Sequence, residues 1–411
     1  MYFSNLVLAT TAVVAGVTGA AAAKAGQQQQ RSVPGSGYMA SNSSNSNSTA
    51  GNGDGKPRKM ILDNDWAAVA FIPILQALDA GWDVVGIVGD TADSWALQTS
   101  MHGLAGLELG NLSECIPVHK GADYPLLNTP ELFQVWSTLH GKLPWKTDRV
   151  FQEGAFAPEN KTAEDLGGEP TSGDPRRLSK AAFAEGFPKG ELAGEHAAAW
   201  MVEQVRAHPG EILIYSGGAF TNIALAVRMD PAFASLTRGL VVMGGYIDSV
   251  LLGAATGRTL LQADYVSDIN LKIDPEAAKI ALTADFPEIT VVGNGANQVF
   301  PDQQFLDELV EVENPYTTLL HGHTDMTLPY WDETAMYAFL HPEHVKDSVS
   351  FYLDVDTAWS SPYYGNIIGY QEALKPKAQK LQKVNYILEV DGDDFKSSVK
   401  RAVQHPKKCP L

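Results

Sequence analysis

Lys59 opens a short apolar run, "KMILDND", that ends on two acids, Asp63 and Asp65, and is followed by no charged residue from Trp66 to Leu78. Two carboxylates at the mouth of a strand can hold a cation, accept a proton from water, or grip sugar hydroxyls. Further polar residues end other candidate strands: Asp90 after "DVVGIVG", and Thr221 with Asn222 after "YSGGAF". Asp332 stands beside Trp331 in "TLPYWDETAMYAF". A carboxylate next to an aromatic plane suits a ligand in which a flat base is joined to a sugar. The bland readings remain beside these: Asp63 and Asp65 as a solvated strand end, Asp332 as a helix cap, Trp331 as a packing residue.

Other chemistries lack their residues. "GGAFTN" has no P-loop lysine, and no GxGxxG opens a helix. Nor is there a GxSxG elbow or a close Cys/His group suited to zinc. What is left is carboxylate and amide chemistry, with hard oxygen ligands for Ca²⁺ or Mg²⁺ and donors suited to a sugar.

These residues need a scaffold that brings strand ends together. "KMILDND", the helical "AFIPILQALDAG" and "DVVGIVGD" form a βαβ unit, which implies a parallel sheet with helices on both faces. Pro73 falls in the first turn of that helix or kinks it. The alternation continues with "SWALQTSMHGLAGLELG", "CIPVHKG", "HAAAWMVEQVRAHPG", "EILIYSGGA", "TNIALAVRMD", "GLVVMGGY", "PEAAKIALTAD" and "ITVVGNG". "SFYLDVDTAW" and "VNYILEVDG" are expected as antiparallel edge strands. The fold class is therefore an open, mainly parallel, Rossmann-type α/β sheet, whose ligands lie at the C-terminal ends of the strands. Residues 126–189, dense in Pro and Gly, are expected to form an insertion over the sheet.

The bulk properties narrow the partners. With 48 acids against 30 bases the net charge is −18, which repels nucleic acid and anionic lipid, so neither is expected as a partner. A small neutral or weakly polar molecule fits better. Residues 1–23 resemble a secretory signal with a small-residue cleavage site near Ala23, although its start carries no Lys or Arg; a membrane anchor is the alternative. Residues 24–56 are rich in Gln, Ser, Asn and Gly and are expected to be disordered. That leaves 57–411 as one folded domain, secreted and outside the membrane. Sequons at Asn42, Asn47, Asn111 and Asn160 are compatible with a glycoprotein. The two cysteines, Cys115 and Cys409, either pair or stay as thiols.

The succession "ILDND", "GGAFTNIALAVRMDP", "GLVVMGGY", "SDINLKIDPEAAKI" and "WDE" resembles the inosine/uridine-preferring nucleoside hydrolases, over roughly Lys59 to Asp391. "LHGKLPW" is similar to the family's His-Gly loop at His140 and Gly141. The resemblance implies hydrolysis of the N-glycosidic bond of ribonucleosides, with a bound Ca²⁺ and a small-molecule nucleoside as partner. Relatives are often dimers or tetramers, which leaves a homo-oligomer open.

The family opens on D-x-D-x-G-x-D-D, where the second Asp is metal ligand and base, the third holds ribose, and the fourth is another ligand. Asp63 matches the first and Asp65 the second, but Ala67 stands for the Gly, and Val69 and Ala70 for the last two acids. By the same resemblance Thr221 offers a carbonyl to the metal and Asp332 the distal carboxylate. Asp268, Asn270 and Gln262 grip ribose, and Asp90 falls where an Asn lies near it. Trp331 takes the place of a His near the leaving base, as in purine-stacking members, with Tyr124, Trp136 or Trp145 as a second wall. Asp90 or Asp93 is a candidate to replace a missing acid. Two functions follow: a purine-leaning hydrolase with Asp65 as base, or a secreted nucleoside- or sugar-binding protein that has lost part of its metal site.

Overall fold

The computed structural model describes residues 58–92, 94–141, 176, 178–247 and 268–409. The expected signal and leader, the sequons at Asn42, Asn47 and Asn160, and Asp93, Trp145 and Gln262 lie outside them. Among the described residues, no helix is long and apolar enough to cross a membrane.

The chain forms a nine-stranded sheet. In chain order its strands are β1 (Lys59–Asn64), β2 (Asp83–Gly89), β3 (Val118–Lys120), β4 (Ile212–Ser216), β5 (Gly239–Met243), β6 (Ile289–Val292), β7 (Val345–Val355), β8 (Ile367–Tyr370) and β9 (Gln382–Val390). Their spatial order is β3-β2-β1-β4-β5-β6-β9-β7-β8. Every neighbouring pair from β3 to β9 is parallel, whereas β7 runs antiparallel to both β9 and β8. The two expected C-terminal strands, β7 and β9, pair antiparallel with each other as expected. Their placement is corrected: β9 also continues the parallel sheet beside β6, and the outermost strand is β8.

The strands read as unbroken apolar runs because helices cover both faces. Alternation along β1 sends Met60 and Leu62 into one core and Ile61 into the other. The first core packs helices α1 (Ile72–Asp79), α11 (Trp331–Leu340) and α12 (Gly392–Gln404). The second packs α4 (Ala197–Ala207), α5 (Thr221–Met229) and α8 (Pro275–Leu282). Pro73 sits in the first turn of α1, where its missing N–H costs nothing.

Within the expected insertion, Pro130–His140 is a regular helix, α3. Thr129 caps it by accepting from the Leu132 amide at 3.2 Å, and Pro130 starts it. Cys115 and Cys409 form a disulfide with their Cα atoms 5.7 Å apart.

The direction of chain progress reverses at β1. From there the chain steps outward to β2 and β3, then returns to β4 on the other side. The crevice of such a sheet opens at this switch point.

Candidate active site

The last residues of β1 point to opposite sides of the sheet, and each finds a polar partner there. Asp63 is fully buried and its Oδ1 accepts from Asn222 Nδ2 at 3.0 Å. Asn222, on α5, uses its own oxygen to accept from the Ala122 amide at 2.9 Å. On the other side, Asn64 Nδ2 donates to Asp332 Oδ2 at 3.1 Å. Asp332 lies in the first turn of α11, where the exposed amide dipoles favour a carboxylate. Its carbonyl accepts from the Tyr215 hydroxyl at 2.9 Å, tying α11 to β4. Asp65 follows β1 directly and is half-buried.

Asp90 follows β2 and is fully buried. Its backbone is held by Asn64, whose carbonyl accepts from the Asp90 amide at 3.2 Å, and by Thr99 Oγ1, which donates to its carbonyl at 2.7 Å. Neither carboxylate oxygen makes a well-formed hydrogen bond. The backbone of Gly218 approaches so closely that a Cβ there would lie 2.3 Å from Asp90 Oδ2.

Burial and crowding raise these acids. Burial lifts the Asp63 carboxyl; the Asn222 hydrogen bond opposes this, the Asp65 charge adds to it, and the group is pushed up to about 8. Asp90 is raised well above the carboxylate range by burial and then by the charges of Asp63 and Asp65; the Ala219 amide opposes this and the Asp332 charge adds to it. The charges of Asp63, Asp65 and Asp332 thus all bear on Asp90.

The remaining expected residues each have partners within the fold. Asp268 caps the short helix α7 (Ile269–Ile273), accepting from the Leu271 amide at 3.0 Å and from the Gly245 amide. Gly244 and Gly245 have φ of +139° and +76°, and a Cβ on Gly244 would lie 2.5 Å from Asp268 Oδ2, so this turn requires glycine. Burial lifts Asp268 to about 7 against the pull of those amides. Asn270 Nδ2 donates to the Gly217 carbonyl at 2.7 Å and the Met243 carbonyl at 3.3 Å, stitching the ends of β4 and β5. Thr221 Oγ1 donates to Asp274 Oδ2 at 2.7 Å. Trp331 is half-buried against the first core, with its indole N–H donated to Asn297 Oδ1 at 2.9 Å.

One expected wall is corrected. Trp136 is buried on α3, donates to the Ser361 carbonyl at 3.1 Å, and carries Lys272 Nζ 3.2 Å from its ring centroid. It packs under a cation and cannot face a base. Tyr124 is 54% exposed and meets Trp95 edge-on, with ring centroids 5.6 Å apart.

The donor set does not fit Ca²⁺, which takes about six to eight oxygens, several of them anionic. Val69 and Ala70 fill the turn after Asp65 and pack on the first core. One oxygen of Asp332 is taken by an amide. Among the described residues, no three His, Cys, Asp or Glu side chains are grouped so that they could hold a metal ion.

Asn64, Tyr215 and Glu333 are site neighbours that sequence reasoning passed over. For Asn64 the signal was present, since strand alternation turns it away from Asp63 toward the α11 side. Glu333 is buried in the first turn of α11 and raised by burial to about 7.

The raised acids set a pH dependence of stability. The folded form of Asp63 keeps its proton up to about 8 and that of Asp268 up to about 7, whereas both lose it near 3.8 when unfolded. Between those limits the native state binds more protons, so stability falls as pH rises. Melting temperature is expected to decline steadily from pH 4 to pH 8, and Asp63→Asn to flatten the slope. A melting temperature that rises over this window would refute it.

Comparison with known proteins agrees with this architecture. The family model described as inosine-uridine preferring nucleoside hydrolase matches residues 60–397. An uncharacterised protein of Schizosaccharomyces pombe is 33% identical over 335 residues, 78% of each chain. A probable uridine nucleosidase of Oryza sativa subsp. japonica is 33% identical over 208 residues, 48% of this chain and 60% of that protein. The solved structure of a purine-preferring ribonucleoside hydrolase from Gardnerella vaginalis superposes with a TM-score of 0.62 at 18% identity, covering 84% of this chain and 98% of that one. By the extent of that family match, on a sheet whose switch point gathers the acids ending β1 and β2, this chain belongs to the inosine-uridine preferring nucleoside hydrolases.

Proposed function

We propose that this protein hydrolyses the N-glycosidic bond of ribonucleosides, releasing ribose and free base. The observation that carries the reading is the placement of half-buried Asp65 and Asp332 at the switch point, with Asn64 linking the two sides. Asp65 takes a proton from water as the water oxygen bonds to C1′. The C1′–N bond breaks, its electron pair leaves with the base, and the base is then protonated. The ribosyl ring passes through an oxocarbenium-like state, which nearby carboxylates stabilise.

Trp331 stacks the base and gives a purine preference. Its indole N–H is anchored at one edge by Asn297, which fixes the ring plane. Base–aromatic stacking is worth about 1–3 kcal/mol. Trp331→Ala should therefore raise KM for inosine about 5–150-fold and for uridine less, read from ribose release on each. Equal changes for both bases would remove Trp331 from base recognition.

We place the activity outside the cell, because the Cys115–Cys409 disulfide persists in oxidising compartments. A second reading is favoured by Val69 and Ala70, which remove two acids of the family motif: a secreted protein that binds nucleosides or sugars without cleaving them. Ribose release from inosine, guanosine, adenosine and uridine by the purified protein separates the two. Release from the purine nucleosides first supports the hydrolase. No release with protein at substrate concentration, together with measurable inosine binding, supports the binder.

A further inference from the structure

The family's metal chemistry and this chain's donor set disagree at one identifiable contact, Asn64 to Asp332. A cation in a carboxylate site has two effects: it neutralises the acids and fixes their direction. In this chain Asn64 Nδ2 donates to Asp332 Oδ2 at 3.1 Å, and the Tyr215 hydroxyl fixes the Asp332 backbone at 2.9 Å. Asn64 itself is fully buried and cannot turn away freely, because Gly217 lies against it. The turn that carries the family's last two acids holds Val69 and Ala70, whose side chains pack on the first core.

We infer that the Asn64 amide has replaced a divalent cation as the partner of Asp332, so that this pocket takes up its nucleoside without a metal ion. The inference rests on the reading of this site as a nucleoside pocket. It makes Asn64 a positioning residue: its amide directs the Asp332 carboxylate, and of these two only Asp332 faces the ligand. It also accounts for the apolar turn, since Val69 and Ala70 bury surface that two carboxylates would have kept hydrated.

The test reads ion binding directly. Full-length protein, stripped with a chelator, is titrated calorimetrically with Ca²⁺ and with Tb³⁺, and is melted with and without each ion. The expected result is no ion bound at the site and no shift in melting temperature, with inosine affinity the same in chelator as in Ca²⁺. Ca²⁺ bound one-to-one and lost in Asp332→Asn would overturn the inference. Ca²⁺ bound equally by wild type and Asp332→Asn would sit elsewhere and leave it standing. The double variant Val69→Asp/Ala70→Asp should gain a Ca²⁺-dependent rise in melting temperature, and Asn64→Ala should weaken inosine binding about tenfold or more. If Asn64→Ala binds inosine like wild type, Asn64 has no such role. Absence of ribose release would count against the hydrolase reading alone, because ion binding is measured independently of turnover.

Discussion

Asp65→Asn is expected to slow ribose release from inosine by about 10²–10⁴-fold, the range that a positioned general base contributes. The substitution keeps size and shape and removes the proton acceptor. Asp65 lies beyond the last residue of β1 and is half-buried, so neither the β1–β2 nor the β1–β4 ladder depends on it. Binding should survive: a kcat that collapses while inosine affinity changes by less than about tenfold marks an interaction made only in the transition state. The same variant carries an internal control. The Asp65 charge is one cause of the raised carboxyls of Asp63 and Asp90. Removing it should lower both, which a carboxyl-carbon NMR titration of Asp63 can follow below its starting position of about 8. Unchanged turnover would assign the base to another group. An unchanged Asp63 titration would mean that the two acids do not face one another.

Gly217→Ala should do comparable harm from a position that touches neither water nor base. A Cβ there would lie 1.9 Å from Asn64 Oδ1, 2.9 Å from its Cγ and 3.1 Å from the Tyr215 ring. Asn64 is fully buried and hangs by a short stem from β1, so it cannot yield without leaving Asp332. The carbonyl of Gly217 also accepts from Asn270 at 2.7 Å, which couples the strain to the end of β5. Overpacking of this kind costs about 1–3 kcal/mol, and losing the Asn64 hydrogen bond to a charged partner about 1.5–3 kcal/mol more. The variant should melt lower and bind inosine at least about tenfold more weakly. Gly194→Ala is the control: a Cβ there meets nothing within 4 Å, and it should behave as wild type. Wild-type binding by Gly217→Ala would mean that Asn64 does not set the position of Asp332.

The parallel core was legible because its strands are buried on both faces and so spell continuous apolar runs, "MIL", "ILIYS" and "VVM" among them. The ends of those strands named Asp63, Asp65 and Asp90 for the same reason. Helix Pro130–His140 was hidden by the Pro and Gly around it, although Thr129 and Pro130 spell a helix start. Trp136, one of three candidates beside Tyr124 and Trp145 for a second wall, turns inward to Lys272 as part of that helix, a placement its local sequence does not spell. The Asn64–Asp332 contact joins residues 268 positions apart. It depends on α11 lying behind β1, which no local pattern encodes. The cysteine pairing was open for the same reason, since only the fold brings the two backbones together.

That pairing has a consequence for how the chain is made. Cys409 is synthesised 294 residues after Cys115. At a synthesis rate of about 5–20 residues per second the earlier thiol waits about 15–60 s for its partner. The chain contains only these two cysteines, so nothing within it can capture Cys115 wrongly during the interval. The hazard in that interval is a neighbouring chain in the same state. Strands β3 to β9 must therefore be laid down while Cys115 is still a reactive thiol, and the covalent bond, when it closes, seals a sheet whose last strand has already been made.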